Sequence, residues 1–375
     1  DEKRRRYFNK IASKYNFNFI YVNTVGGQDE IVFDGSSFIV DKKGKIINIC
    51  TSFSEEIFNL FSIEGNFSDK PSFNFSKNII NDERALYNAI KIGTYDYISK
   101  SNLSGVILGL SGGIDSALTL AIANDIFKKE EIEAILLPSM YTSDLSIQLA
   151  EQQCKNLNIN YSLISIEDIN ETVNKTLEKR FNGLQSDVTE ENIQSRARGL
   201  ILMSISNKTG KVLLTTGNKS ELAVGYSTLY GDMCGSFAPL KDLYKTEVYK
   251  LSKWRNQKSL VIPEAVIERM PTAELSYDQY DIDTLPPYET LDAILNSFIE
   301  DKKSLEDICN MGFEKNLVTK IINMVIKNEY KRRQYSPGVK LNPESFGRDK
   351  SGAAGHPKIS RIANLKIFIY SFYLG

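Results

Sequence analysis

Between residues 106 and 216 short apolar runs alternate with longer amphipathic ones. VILGL at 106–110 is apolar without alternation and bounded by Ser and Gly, the pattern of a strand buried on both faces in a parallel sheet. AILLP at 134–138, YSLISI at 161–166 and VLLTT at 212–216 read the same way. After the first run, Ala117, Leu118, Leu120 and Ala121 fall at helical spacing; further helices are predicted near 144–157, at 168–180, and at 188–207, the last opened by a Thr and two acids. Strands alternating with helices of this length predict right-handed crossovers and an α/β, doubly wound parallel sheet. Ligands of such a sheet bind at the C-terminal strand edge.

The flanks follow a different pattern. Residues 1–16 pattern as an amphipathic helix, and 19–50 alternate apolar and polar residues between Gly-Gly, Asp-Gly and Lys-Gly turns, which predicts short antiparallel strands. Residues 62–80 are rich in Ser, Asn and Pro and read as a linker, followed by a helix from Asp82 to about Lys100. Helices are predicted to continue to about Asn328. The stretch 262–295, rich in Pro, Asp and Tyr, suits an irregular lid better than a core element. A last apolar run at 365–374 would make a packing or oligomer strand.

Composition narrows the chemistry. The 375 residues carry 46 basic and 47 acidic side chains, so bulk charge points to neither nucleic acid nor a membrane surface. Cys50, Cys154, Cys234 and Cys309 lie far apart without a CxxC pair, which argues against a zinc site or a disulfide framework. With no apolar run near roughly 18 residues and no signal peptide, the expected location is cytoplasmic. The single histidine, His356, sits in a Gly- and Lys-rich tail. A Ser/His/Asp triad or a His-ligated metal is thereby disfavoured, and catalysis must rest on phosphate positioning and electrostatics.

The segment Ser111-Gly112-Gly113-Ile114-Asp115-Ser116 turns a predicted strand into a helix N-terminus. Unpaired N–H groups, the helix dipole and two hydroxyls then face one point, which is a phosphate cradle. Asp115 puts a carboxylate where the anion belongs, an arrangement that calls for a cation such as Mg²⁺ between them. The loop fits neither GxxxxGK[ST] nor GxGxxG. Its SGGxDS signature instead resembles the pyrophosphate loop of the ATP pyrophosphatases, which split ATP between its α and β phosphates and adenylate a substrate.

Four further blocks narrow the resemblance. YVNTVGGQDEIVFDGSS (21–37) is similar to the closing third of a nitrilase-like glutaminase domain, and ENIQSRARG, KVLLTTGNKSELAVGYSTLYGDMCGSFAPLKDLYKTEVYKL and NEYKRRQ resemble glutamine-dependent NAD synthetases. That resemblance implies domains at 1–62 (the end of the glutaminase, a partial α/β sandwich), 63–80 (linker) and 81–375 (synthetase). It implies ATP contacts at Gly109, Leu110, Ser111, Gly112, Gly113, Ile114, Asp115, Ser116 and Thr216. It also implies Mg²⁺ on Asp115 and Glu221, and a phosphate-contacting Lys245. Deamido-NAD would meet Asn192, Arg196, Glu221 and Lys331, with Arg198, Arg332 and Arg333 nearby. Thr272 and Glu274 belong to the family's mobile segment.

The implied reaction adenylates deamido-NAD with ATP and lets ammonia displace AMP, giving NAD. The family's glutaminase Cys, Glu and Lys lie N-terminal to the matched stretch, and Cys50 falls too late to be the nucleophile. The chain also opens without a methionine and inside a charged helix, so an upstream glutaminase segment is expected, with an apolar sheet face that would otherwise associate. A homo-oligomer, at least a dimer, is implied as well. The alternatives are other SGGxDS enzymes (GMP synthetases, argininosuccinate synthetases, tRNA-thiolating enzymes) and a non-enzymatic binding module.

Overall fold

The structure, a computed structural model, describes residues 2–57, 62–63, 66–67, 82–277 and 279–346. The chain forms two compact units, residues 1–97 and 98–375. The 365–374 run, His356 and most of the 63–80 linker lie outside the described residues.

In the first unit helix α1 (Glu2–Tyr15) precedes strands β1 (Phe19–Tyr21), β2 (Val25–Gln28), β3 (Ile31–Asp34), β4 (Phe38–Val40) and β5 (Ile46–Ile49). β1, β4 and β5 make an antiparallel sheet in the order β1-β4-β5, and β2 and β3 make a hairpin. Alternation decides what is buried. Phe19 and Tyr21 join Phe8 and Ala12 of α1 and Phe38, Val40 and Ile46 in one core, while Ile20 and Val22 on the other side of β1 stay exposed. Short strands β6 (Ser62–Ile63) and β7 (Asn66–Phe67) pair with each other. The Gly-Gly of this unit has a packing reason. Gly27 lies against the backbone of α2 (Asp82–Lys100), where a Cβ would stand 3.0 Å from the Gly93 Cα, and its N–H donates to Asp96 at 2.7 Å.

The second unit holds a parallel sheet of β8 (Val106–Gly109), β9 (Ile132–Leu136), β10 (Asn160–Leu163) and β11 (Val212–Leu214), in the order β10-β9-β8-β11. The connecting helices are α3 (Ile114–Asn124), α4 (Asp144–Leu157), α5 (Glu167–Phe181) and α6 (Val188–Thr209). Ile107, Ile135 and Leu213 point to one face and pack with Ala197, Ile201 and Leu202 of α6 and Ile169 of α5. α3 and α4 pack on β8, β9 and β10 and share no residue with that cluster, so helices cover both faces. Strand order reverses between β8 and β11, which creates a switch point where ligands bind in such sheets.

Several predicted boundaries shift: β9 runs two residues earlier than 134–138 and β8 ends at Gly109, and three further shifts bear on the site. α3 starts at Ile114, ahead of Ala117, because Gly113 already serves as its N-cap; Asp115 therefore lies in the first turn. β10 ends at Leu163, because the N–H groups of Ile164 and Ile166 bond the carbonyls of Leu136 and Pro138 and lead into α5. β11 ends at Leu214, and the Thr215 N–H turns to the Phe237 carbonyl.

Beyond β11 come α7 (Lys219–Val224), α8 (Lys245–Asn256), α9 (Glu264–Glu268), α10 (Tyr288–Ile299), α11 (Leu305–Cys309), α12 (Lys315–Lys327) and α13 (Glu329–Arg332). α9 and α10 correct the reading of 262–295 as irregular throughout. Tyr288, Leu291 and Leu295 fall at helical spacing and are buried against α7 and α12. Among the described residues no helix is long and apolar enough to cross a membrane.

Candidate active site

The loop after β8 is held by its own serines. The Ser111 N–H donates to the Ser116 Oγ at 3.2 Å, the Gly113 N–H to the Ser111 Oγ at 3.2 Å, and the Ser116 hydroxyl to the Gly113 carbonyl at 3.0 Å. Gly112 is required for two reasons. Its φ is +79°, and a Cβ would lie 2.4 Å from the Ser146 carbonyl oxygen. Gly113 caps α3 without any side-chain acceptor, which leaves the helix N-terminus available to an anion.

β11 supplies the facing wall. Asn218 caps α7 by accepting from the Glu221 N–H at 3.0 Å, and its amide donates to Asp115 Oδ1 at 2.8 Å, so one side chain ties the two βα junctions together. Lys245, the first residue of α8, reaches both carboxylates: its Nζ is 2.5 Å from Asp115 Oδ2 and 2.9 Å from Glu221 Oε1. It is buried, not on the outer surface of α8. Ser220 and Asp292 fix its backbone, through bonds from the Lys245 N–H to the Ser220 Oγ (2.9 Å) and from the Thr246 N–H to Asp292 Oδ2 (2.9 Å).

Burial opposes charge on Lys245, yet Asp115 and Glu221 outweigh it and hold the ammonium pKa above its ordinary value. For Glu221 burial prevails. It pushes the carboxyl from 4.5 up to about 7, against Lys245 and with help from Asp115. The native state therefore binds an extra proton in that window, and this group's contribution lowers stability as pH rises from about 4.5 to about 7. Unfolding of the ligand-free protein followed across that window should show a downward slope that Glu221→Gln flattens. Equal slopes for both proteins would remove Glu221 as its source.

Around this triad opens a cavity of about 310 Å³, lined at its base by Gly109, Leu110, Ser111, Gly113–Ser116 and Thr216. Arg198 lines it too, anchored by its Nε to the Leu137 carbonyl at 3.0 Å. Asp232 and Asp281 add buried or lining carboxylates that the sequence patterns did not single out. Asp232 accepts from the Thr228 N–H at 2.7 Å, and partial loss of hydration at the cavity wall raises its carboxyl against that bond and the pull of Lys331.

Asn192, Arg196 and Lys331 form a separate group. They hold the 225–229 loop: Asn192 accepts from the Thr228 hydroxyl at 2.7 Å, Arg196 donates to the Leu229 carbonyl at 3.2 Å, and Lys331 Nζ donates to the carbonyls of Gly225 (2.8 Å) and Ser227 (2.7 Å). None of the three lines the cavity, although Tyr226 and Ser227 of their loop do. The basic run 331–333 is split. Arg332 is buried on the carbonyls of Ala223 (2.8 Å) and Val325 (2.6 Å), and Arg333 pairs with Glu329 at 2.7 Å, so only Lys331 of the three joins the site loop.

A parallel sheet whose switch point carries a serine-glycine anion loop, two carboxylates and a buried lysine defines a nucleotide-binding α/β domain. The chain belongs to the NAD synthase family, whose model matches residues 86–335. It is 46% identical to the glutamine-dependent NAD(+) synthetase of Acinetobacter baylyi over 344 residues, covering 91% of this chain and 63% of that protein. The chain thus spans under two thirds of the length of that curated relative. Among solved structures it is similar to the glutamine-dependent NAD+ synthetase of Acinetobacter baumannii in complex with adenosine diphosphate (40% identity, TM-score 0.66, 95% of this chain and 66% of that one). It is also similar to the NH3-dependent NAD synthetase of Campylobacter jejuni (27% identity, TM-score 0.55, 67% of this chain and 96% of that one).

Proposed function

We propose that this chain amidates deamido-NAD to NAD at the expense of ATP, through an adenylated carboxylate, releasing pyrophosphate and AMP. The observation that carries the reading is the meeting of Asp115, Glu221 and Lys245 beside the Ser111–Ser116 loop, at the edge of a cavity able to hold a nucleotide. The loop N–H groups that the two serines leave unpaired and the N-terminus of α3 receive the β and γ phosphates, with Ser111 and Ser116 holding the loop in shape for them. Lys245, kept charged by its two acids, stands beside the position of the α-phosphate and draws off charge as the bond to pyrophosphate breaks. Thr216 and Arg198 border the same space. Asn192, Arg196 and Lys331 fix the 225–229 loop, whose inner residues meet the acceptor nucleotide.

The donor set suits Mg²⁺. Two carboxylates close enough to share one ammonium offer hard oxygen ligands, and among the described residues no third His, Cys, Asp or Glu completes a cage. That is the environment in which Mg²⁺ is held by one or two carboxylates together with substrate phosphates, where it offsets charge on the phosphoryl oxygens. In the second half-reaction ammonia forms a bond to the carboxyl carbon and AMP leaves.

We read residues 1–62 as the closing part of a nitrilase-like glutaminase domain, 63–80 as the linker and 81–375 as the synthetase. The test supplies ATP, Mg²⁺ and deamido-NAD with either ammonium or glutamine to the 375-residue chain. NAD from ammonium and none from glutamine is expected; no NAD with either donor, despite bound ATP, would sink the reading.

A further inference from the structure

Tyr335 brings an orphaned polar atom to the cavity. It lines the wall and is only 9% exposed, yet among the described residues its hydroxyl has no hydrogen-bond partner. A buried hydroxyl left unpaired is costly and calls for an explanation. The chain around it is well held. Ser336 donates its hydroxyl to the Gly235 carbonyl at 2.7 Å, and the Pro337 carbonyl accepts from the Ala238 N–H at 2.8 Å, so the residues after Tyr335 are stitched to the backbone beyond β11. The Lys241 ammonium stands 6.0 Å from the centre of the Tyr335 ring. The tip of that ring reaches Gly217, where a Cβ would lie 2.5 Å from the phenol oxygen, so any side chain at 217 would displace the hydroxyl. Gly217 lies between Thr216, which lines the cavity, and Asn218, which binds Asp115.

The hydroxyl also feels both sides of the site. Burial first, and then the carboxylates of Asp232, Glu221 and Asp115, hold its pKa far above the ordinary value, so the phenol keeps its proton; the Gly217 backbone pulls the other way, through the oxygen rather than the proton. Asp232 ends the loop that Asn192, Arg196 and Lys331 hold, and Glu221 and Asp115 flank Lys245. These acids already have partners, in Lys245 and the Thr228 N–H. A neutral donor suits such a place, because a further cation would pair with the acids before it met a substrate.

We propose that the Tyr335 hydroxyl donates a hydrogen bond to the nicotinate carboxylate of deamido-NAD, and thereby helps the site to tell this substrate from the amide it becomes. This contact presupposes the reading of the site as one that joins deamido-NAD to the α-phosphate of ATP. In that reaction the acceptor carboxylate is the group that must reach from the 225–232 loop to the α-phosphate beside Lys245, and the hydroxyl is placed between the two. A charged carboxylate draws a stronger hydrogen bond from a phenol than a carboxamide does.

The test compares the full chain with Tyr335→Phe, which removes the oxygen and keeps the ring. Each protein is titrated calorimetrically with deamido-NAD, NAD and ATP in separate runs, and its thermal unfolding is followed without ligand. Affinity for deamido-NAD should fall by about tenfold, the scale of one hydrogen bond to a charged acceptor, with a smaller loss for NAD and none for ATP. Because the hydroxyl has no partner within the fold, Tyr335→Phe should melt at or above the wild-type temperature. Equal affinity of the two proteins for deamido-NAD would overturn the proposal. A loss that fell on ATP instead would overturn it too, by giving the hydroxyl to the nucleotide, and so would a lower melting temperature, by showing the hydroxyl bonded inside the fold. Wild type that bound ATP but not deamido-NAD would take down the functional reading itself, a failure visible without the variant.

Discussion

Asp115→Ala should lower pyrophosphate release from ATP in the presence of deamido-NAD by about 10²–10³-fold, the loss of one electrostatic contact to a developing phosphoryl charge. The fold should survive. Lys245 keeps Glu221 as its partner, Asn218 keeps its cap on α7, and the carboxylate removed is one of two acids sharing a single ammonium. Asp115→Asn separates charge from shape: it keeps the side-chain volume next to Asn218 and Lys245 and should lose rate to a similar degree. The assay is release of labelled pyrophosphate alongside thermal unfolding. A variant that turns over ATP at the wild-type rate would remove Asp115 from the reaction.

The second large effect is on stability, with no contact to the chemistry. Lys219 is fully buried, and its ammonium donates to Asp242 (2.7 Å), Glu300 (2.5 Å) and the Glu344 carbonyl (2.8 Å) beneath the rings of Tyr244 and Phe346. Asp242 in turn accepts from the N–H groups of Leu341 and Asn342 at 2.7 Å, and Glu300 from that of Glu344 at 2.9 Å, so this one lysine neutralises the acids that hold the 341–346 segment in place. Lys219→Met would strand two buried carboxylates, and the expected cost is about 3–5 kcal/mol. Denaturant unfolding at constant slope measures it. Burial already holds the Asp242 carboxyl above its ordinary value, so protonation relieves the stranded charge and the deficit should shrink as pH falls. A variant as stable as wild type at neutral pH would refute this.

These two residues show where reading the sequence stops. The strand run 106–110 and the SGGIDS turn announce an anion loop because backbone geometry and residue type agree there. GNKSE at the next junction is legible as a block but not residue by residue. Asn218 and Glu221 turn to the sheet edge, while Lys219 and Ser220, lying between them, turn inward to Asp242 and Asp292. Which of four consecutive polar residues faces the ligand depends on where α8 and α10 pack, and that is tertiary information. The same limit separates Arg196 from Arg198. α6 buries Gln194 and Ser195 yet exposes Leu200, so its polarity does not mark its outer face, and only the packed helix turns Arg198 into the cavity and Arg196 out of it. Asp232 arrives on a turn and Asp281 on a single 3₁₀ turn, Asp281–Asp283, too short for a period to be read.

One pairing beyond the site bears on how the anion seat is kept open. α3 and α8 meet not only at Asp115 and Lys245 but ten residues further along each helix, where Arg255 grips Asp125 through two bonds of 2.7 Å. Two rods bolted at both ends cannot scissor. The aperture between their leading tips is therefore gauged once, as the protein folds, and the proposed triphosphate would meet a socket already cut to width.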